Sequence, residues 1–219
     1  HYFINFYKDF REGASNGLYF DLGFFYKKLE DLVVSTTETR DDGTPLRNVN
    51  EGTGHITGAQ LQGNYKKSEF TFLLSYTYMR SRRSDLVNSD YPSRFDQTHN
   101  LNFISVYEKT RWSLSTRLRY VTGSPYTPIV GSIYNSDADI FVPTRGEFFS
   151  RRYEDFFQLD IRYDRKFVYN TWILSVYLDI QNITNSNNGQ ALSYNYDYSD
   201  STPAAGLPIL PVFGLRGEF

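Results

Sequence analysis

Residues 156–184 alternate apolar and polar side chains with period two, and an alternation of that length leaves few folds open. In FFQLDIRYDRKF, Phe157, Leu159, Ile161 and Tyr163 fall on one side, and Gln158, Asp160, Arg162 and Asp164 on the other. In WILSVYLDIQNIT, Trp172, Leu174, Val176, Leu178 and Ile180 share a face. Ser175, Tyr177, Asp179 and Gln181 share the opposite one, joined by the apolar Ile173. Side chains change face at every residue of a strand but recur every 3.6 residues on a helix. Both segments are therefore strands, and the short VYNT connection makes them a hairpin. The apolar face carries no charge over its central residues and ends in rings, Tyr163 and Trp172, beside the turn. A soluble sandwich buries such a face in a core. A transmembrane barrel turns it to lipid, with aromatic side chains at head-group level and a polar lumen.

The same alternation recurs at 2–10, 18–34, 55–65, 70–78, 99–107, 112–122 and 207–219, which makes nine strands. Between them, short turns (11–17, 66–69, 108–111, 164–171) alternate with long polar loops (35–53, 80–97, 123–152, 185–206). The last loop is expected to hold a small hairpin around 191–198. Barrels of the bacterial outer membrane have short periplasmic turns and long extracellular loops. Rings also flank the short turns: Tyr65 with Phe70, Tyr107 with Trp112, Tyr163 with Trp172, and the terminal Phe219 at the same level. Rings from separate strands at one height describe an aromatic girdle, which a soluble sandwich has no reason to repeat.

Composition agrees. Mean hydropathy is −0.51, yet 18% of residues are aromatic, with 19 Tyr and 18 Phe. That is the balance of strands with one lipid face and one wet face. The formal charge of −2 offers no nucleic-acid surface. The absence of cysteine excludes disulfide scaffolds, thiolate metal sites and cysteine nucleophiles. No apolar run reaches the ~18 residues of a transmembrane helix. The opening HYFINFYKDF has no signal-peptide pattern, so the expectation is a mature chain or one whose front is missing. Nine strands is odd where single-chain bacterial barrels have an even number, and an open edge cannot face lipid. The expected fold is all-β: a transmembrane antiparallel β-barrel, of which residues 1–219 form the C-terminal nine or so strands.

Several segments resemble TonB-dependent outer-membrane receptors. These are GHITGAQLQG after NVNEG, FTFLLSYTYMRS, SRFDQTHNLNF, RLRYVTGSPYTP, and the pair FFQLDIRYDRKF and WILSVYLDIQNITN. The ending GLPILPVFGLRGEF, with its final Phe, is most similar to the branch with carboxypeptidase-regulatory-like N-terminal modules. The resemblance spans essentially the whole chain. It implies a barrel of twenty-odd strands closed by a plug domain, the plugged class of large barrels. It implies uptake of a scarce, bulky ligand, driven by the TonB energy-coupling complex through the plug. The plug, the energy-coupling box and the first barrel strands are not in this sequence. An alternative is a binding, adhesion or assembly barrel of the outer membrane without active transport. Partners on the first reading are outer-membrane lipid and lipopolysaccharide, the plug and remaining strands, and an external ligand.

The expected lumen-facing or plug-facing residues are Arg117, Arg119, Asp160, Arg162, Asp179 and Gln181, each at odd spacing from a lipid-face residue. Of the loop residues, Tyr126, Tyr134, Arg145, Tyr194 and Tyr196 are best suited to anchor a ligand, being aromatic or forked donors. Packing the loops on one another is their plainer role. Arg80, Arg82 and Arg83 either meet lipopolysaccharide phosphates or form a solvated charge run. His1, His55 and His99 lack metal-ligand spacing. Asp137 and Asp139 have a D-x-D spacing without the glycine and distant glutamate of a calcium loop. Asp160 and Asp179 suit glycoside chemistry only if brought close, and pairing with Arg162, Arg117 or Arg119 is the plainer account. No nucleophile-elbow pattern is present. No catalytic residue, metal or cofactor is assigned.

Overall fold

The computed structural model describes residues 1–11, 16–36 and 48–219, and every regular element among them is a strand. In chain order these are β1 (Tyr2–Asp9), β2 (Gly17–Ser35), β3 (Asn48–Lys67), β4 (Phe70–Ser84), β5 (Tyr91–Pro92), β6 (His99–Lys109), β7 (Trp112–Val121) and β8 (Pro125–Tyr126). There follow β9 (Ile129–Asn135), β10 (Ile140–Arg145), β11 (Arg151–Arg152), β12 (Phe156–Val168), β13 (Ile173–Gln181), β14 (Leu192–Tyr194), β15 (Ser201–Pro203) and β16 (Leu210–Glu218).

The nine long strands form one sheet in the order β1-β2-β3-β4-β6-β7-β12-β13-β16, with β5 added beside β4. Each long strand pairs antiparallel with its chain neighbour, so the wall is a meander. The outer edges of β1 and β16 have no strand partner among the described residues.

Register places the two faces as the alternation predicts. Leu178, Tyr163, Leu114, Tyr107 and Phe70 are successive cross-strand partners. Asp179, Arg162 and Ser115 are partners in the next row. A shift of one residue would exchange the faces, and no such shift occurs between β4 and β16. The apolar face is not a core: Leu178 is 43% exposed and Phe24 46%, while Val121 at 7% is the one large buried aliphatic among the described residues. This separates a lipid-facing wall from a sandwich.

The short-turn end carries the girdle, in a different order from the one expected. Rings follow one another from Tyr65 to Phe72 (6.2 Å), Phe70 to Tyr107 (4.6 Å), Tyr107 to Trp112 (5.3 Å) and Trp112 to Tyr163 (6.0 Å). Trp172 sits on Tyr169 (4.8 Å) and Phe219 (5.9 Å) rather than on Tyr163. At the other end Tyr2 meets Tyr26 at 6.3 Å, and Tyr78 meets His99 at 5.5 Å. From Phe70 to Tyr78 the strand rises about 26 Å, or about 20 Å after the usual tilt, the scale of an apolar band.

Several boundaries move. The expected turn at 164–171 shrinks to the bend where the Tyr169 N–H donates to the Trp172 carbonyl at 2.9 Å. Asp164, Arg165 and Lys166 belong to β12, because Arg162 pairs with Asp164 at 2.8 Å and Arg165 lies over the Phe167 ring. Their charge density resembles a turn in sequence, but their backbone groups pair with β13 and, through Asp164 and Arg165, with β7. Residues 48–53 and 80–84 are strand rather than loop, since β3 continues to pair with β2 as far as Asn48 and with β4 as far as Thr53 and Ser84, beyond the apolar band. Backbone groups there still need partners. Of the expected turn at 11–17 and loop at 35–53, residues 12–15 and 37–47 lie outside the described residues. The small hairpin falls at β14 and β15, somewhat later than 191–198.

Candidate ligand site at the long-loop end

The loop at 123–152 is built from ladders. Its first and last parts, β8 and β11, pair through Arg151 with Tyr126 and Arg152 with Pro125. Between them β9 and β10 form a hairpin. The Arg152 guanidinium holds this assembly to the neighbouring 80–97 loop. It bonds the Asp96 carboxylate at 2.5 Å, the Asp96 carbonyl, and the Gly123 carbonyl at 3.0 Å. Asp96 is buried and also accepts the Ser81 N–H at 2.8 Å. Asp155 accepts from the Tyr120 hydroxyl (2.5 Å) and the Gly123 N–H (2.9 Å), closing the base of the loop on β7.

These ties bring Tyr126 onto Tyr153, with ring centroids 4.4 Å apart and planes at 22°. The stacked pair forms part of a cavity of about 670 Å³, into which Arg94, Arg145, Phe149 and Tyr194 also project. No carboxylate lines it among the described residues. Burial pushes the Tyr153 phenol up, Tyr126 and Tyr194 add to this, and Arg94 opposes it. The Tyr153 phenol thus stays a neutral donor, and the positive charge of the cavity comes from Arg94 and Arg145.

Three of the five expected anchors, Tyr126, Arg145 and Tyr194, are therefore brought together. The other two are not in this cavity. Tyr134 and Tyr196 line a separate one of about 760 Å³, where the Tyr134 hydroxyl donates to Asp139 at 2.6 Å and Phe141 meets Tyr196 edge-on at 5.4 Å. Asp139 thereby acts as a turn acceptor, and no cluster of metal-ligating side chains occurs among the described residues. Arg94, Phe95 and Tyr153 escaped the sequence reading. The signal that could have found them is the clustering of rings with arginine in SRFDQ and FFSRRY.

On the wall, the six expected lumen-facing residues share the polar face by register. Asp160 is buried and pairs with Arg117 at 2.6 Å, while accepting from Gln158 (2.8 Å) and the Asn182 N–H (2.9 Å). Arg162 faces Asp179 across the ladder but bonds Asp164 on its own strand, with its guanidinium 4.1 Å from the Tyr177 ring centroid. The Tyr177 ring lies over Gly214, where a Cβ would run into it. Arg119 lies over Phe156 at 5.0 Å. Asp160 is thus tied to Arg117 rather than poised as half of a carboxylate pair.

An antiparallel meander with one bare apolar face, two ring belts and long loops at one end is the wall of a membrane-spanning β-barrel. The profile of the TonB dependent receptor-like, beta-barrel family matches residues 7–183, and the chain belongs to that family. It is a family of receptors and transporters of the bacterial outer membrane. Among solved structures, the chain is similar to the ferripyoverdine receptor of the Pseudomonas aeruginosa outer membrane (TM-score 0.66, 13% identity, 98% of this chain and 26% of that one). It is similar to the ferric citrate transporter FecA (TM-score 0.61, 15% identity, 92% and 29%). It is also similar to the FrpB iron transporter of Neisseria meningitidis (TM-score 0.58, 14% identity, 99% and 30%). The chain therefore spans less than a third of the length of these structures. No curated protein matches it.

Proposed function

We propose that the chain is the C-terminal wall of a TonB-dependent transporter that takes up a scarce, bulky ligand, with its long loops on the cell exterior. A plug domain and the remaining barrel strands complete the receptor and meet the polar face at Arg117, Arg119, Asp160, Arg162, Asp179 and Gln181. Supporting this are the edges of β1 and β16, which have no strand partner among the described residues, and the fraction of each solved relative that the chain covers. Energy reaches the plug from the TonB complex, and lipid and lipopolysaccharide surround the wall. A ferric chelate is the first ligand to try, because the structures it resembles are described as an iron transporter, a ferric citrate transporter and a ferripyoverdine receptor.

The observation that carries the ligand reading is the convergence of Tyr126, Arg145 and Tyr194, from two separate long loops, on one cavity. Aromatic and guanidinium side chains on a rigid scaffold are the usual anchors of recognition. The test is uptake of radiolabelled ferric citrate and ferripyoverdine by cells carrying the full-length gene, with and without a protonophore. Protonophore-sensitive uptake that falls about tenfold in Tyr126→Ala/Arg145→Ala is expected. Protonophore-insensitive binding with no accumulation would instead identify a barrel that binds without transporting.

A further inference from the structure

The two limbs of the 185–206 loop leave the wall without a ladder to join them. Backbone pairing of β13 with β16 stops at Gln181 and Leu210, and resumes only near β14 and β15, where Leu192 meets Pro203. Between those points 182–191 stand against 204–209, so the limbs are unequal in length and cannot pair one to one. Pro208 has no N–H to offer. The open backbone groups still need partners, and asparagine side chains supply them. Asn185 Oδ1 accepts the Ile209 N–H at 3.0 Å, Asn187 Oδ1 accepts the Gly206 N–H at 3.1 Å, and Asn188 Oδ1 accepts the Phe157 N–H of β12 at 2.8 Å. The limbs approach so closely that a Cβ on Gly189 would run into the Ala204 carbonyl.

Asn182 stands at the base of this set. It is 3% exposed, with φ at 50°, a left-handed conformation that asparagine tolerates better than most residues. Its Nδ2 donates to the Ser186 carbonyl on the outgoing limb and to the Leu207 carbonyl on the returning one, each at 2.9 Å. Its Oδ1 accepts the Ser186 N–H at 3.0 Å. Its own N–H donates to Asp160 Oδ1 at 2.9 Å, while Arg117 of β7 holds Asp160 Oδ2 at 2.6 Å. One buried asparagine thus ties both limbs to a carboxylate fixed between two strands of the wall.

The same loop carries Gln190, Leu192 and Tyr194 into the cavity of Tyr126 and Arg145. Gln190 follows Asn188 by two residues, so little chain lies between the bonded base and the cavity. We infer that Asn182 is a positioning residue: by binding both limbs to Asp160 it sets where Tyr194 stands relative to the Tyr126–Tyr153 stack. The inference rests on the proposed reading of that cavity as the ligand site. Binding groups must be held to within about 0.5 Å by the hydrogen bonds behind them, and the asparagine set supplies those bonds on the Tyr194 side.

The experiment uses the full-length receptor in nanodiscs, with spin labels attached through Ser193→Cys and Ser150→Cys, both exposed positions. The variant is Asn182→Gly, because glycine keeps the left-handed backbone and removes only the side-chain bonds. It should broaden the label-to-label distance about threefold. Asp160→Ala, which removes the anchor without touching Asn182, should broaden it as well and serves if Asn182→Gly fails to assemble. Arg162→Gln, on the same face but bonded within its own strand, should keep the wild-type distance. Heat-resistant migration shows that each variant is assembled. In cells, Asn182→Gly should raise the ferric citrate or ferripyoverdine concentration for half-maximal uptake about tenfold at an unchanged maximal rate. In a Tyr194→Ala background it should cost nothing further. A wild-type distance in Asn182→Gly and Asp160→Ala overturns the inference, and so does equal broadening in Arg162→Gln. A lower maximal rate at an unchanged half-maximal concentration, or a cost additive with Tyr194→Ala, reduces Asn182 to scaffold and overturns it too. Broadening in a receptor that takes up neither chelate would refute the ferric reading and uphold the placement of Tyr194 by Asn182.

Discussion

The two ends of the wall are closed by different physics. At the short-turn end, Lys67 pairs with Phe70, Lys109 with Trp112 and Val168 with Ile173, so these hairpins close over two, two and four residues. What holds that end is local bonding plus a line of rings against the bilayer interface. At the other end the chain leaves the membrane and returns after long excursions. There the order comes from side-chain bonds between residues far apart in sequence: Arg152 to Asp96, Asp155 to Gly123, and the Ser132 hydroxyl to the Asp197 carbonyl at 2.5 Å. Local closure leaves no space between elements, whereas closure by a few long-range bonds leaves cavities, and the cavity of Tyr126, Arg145 and Tyr194 lies there. A few such bonds can be changed one by one without touching the wall.

The largest effect should come from breaking the wall itself. Leu118 lies in the row of Phe103 and Leu74, four residues from both Phe70 and Tyr78 and so at the middle of the apolar band, and Leu178 projects from the same face. Leu178→Arg or Leu118→Arg should destabilise the full-length barrel by about 2–4 kcal/mol in denaturant titrations in lipid. A cost near zero would mean that this face does not meet hydrocarbon.

Next in size is the loop latch. Arg152→Met strands the buried Asp96 carboxylate and should cost about 1–3 kcal/mol, seen as faster amide exchange in 92–97 and 123–127. Exchange in β6 and β12 should stay as in wild type. If those strands loosen too, the two ends are not separable.

Excising residues 129–145 removes the β9–β10 hairpin and Arg145 with it. Ligand uptake should fall about tenfold, equivalent to ~1.4 kcal/mol, with heat-resistant migration intact. Unchanged uptake would reduce the hairpin to decoration, and lost assembly would make it part of the scaffold.

The smallest effect concerns acid. The Arg82 guanidinium bonded to Asp90 holds that carboxyl below its usual 3.8. A depressed folded value means the contact contributes above the unfolded pKa and is lost as pH falls through the folded one. Amide exchange in 85–92 should therefore quicken below about pH 4, and Asp90→Asn should abolish that dependence.

Parity was legible in the sequence. That Leu178 and Tyr163 face one way, and Asp179 and Arg162 the other, follows from strand geometry, which sends alternate side chains to opposite sides whatever the neighbours do. The nine strands, the split into short turns and long loops, and the level of the rings follow from the same pattern. Neighbours across strands were not legible. That Trp112 sits by Tyr163 while Trp172 sits by Phe219 depends on register, which alternation constrains only to even shifts. Arg162 bonding Asp164 instead of Asp179, and Arg80 losing Arg83 but gaining His55, depend on how the pleat and its pairing divide a charged run. The loop-end cavity was least legible, because Arg94, Tyr126, Arg145 and Tyr194 meet only through the long-range bonds of Arg152, Asp96 and Asp155. No local periodicity encodes such bonds; they exist only once the wall has brought the loop bases side by side.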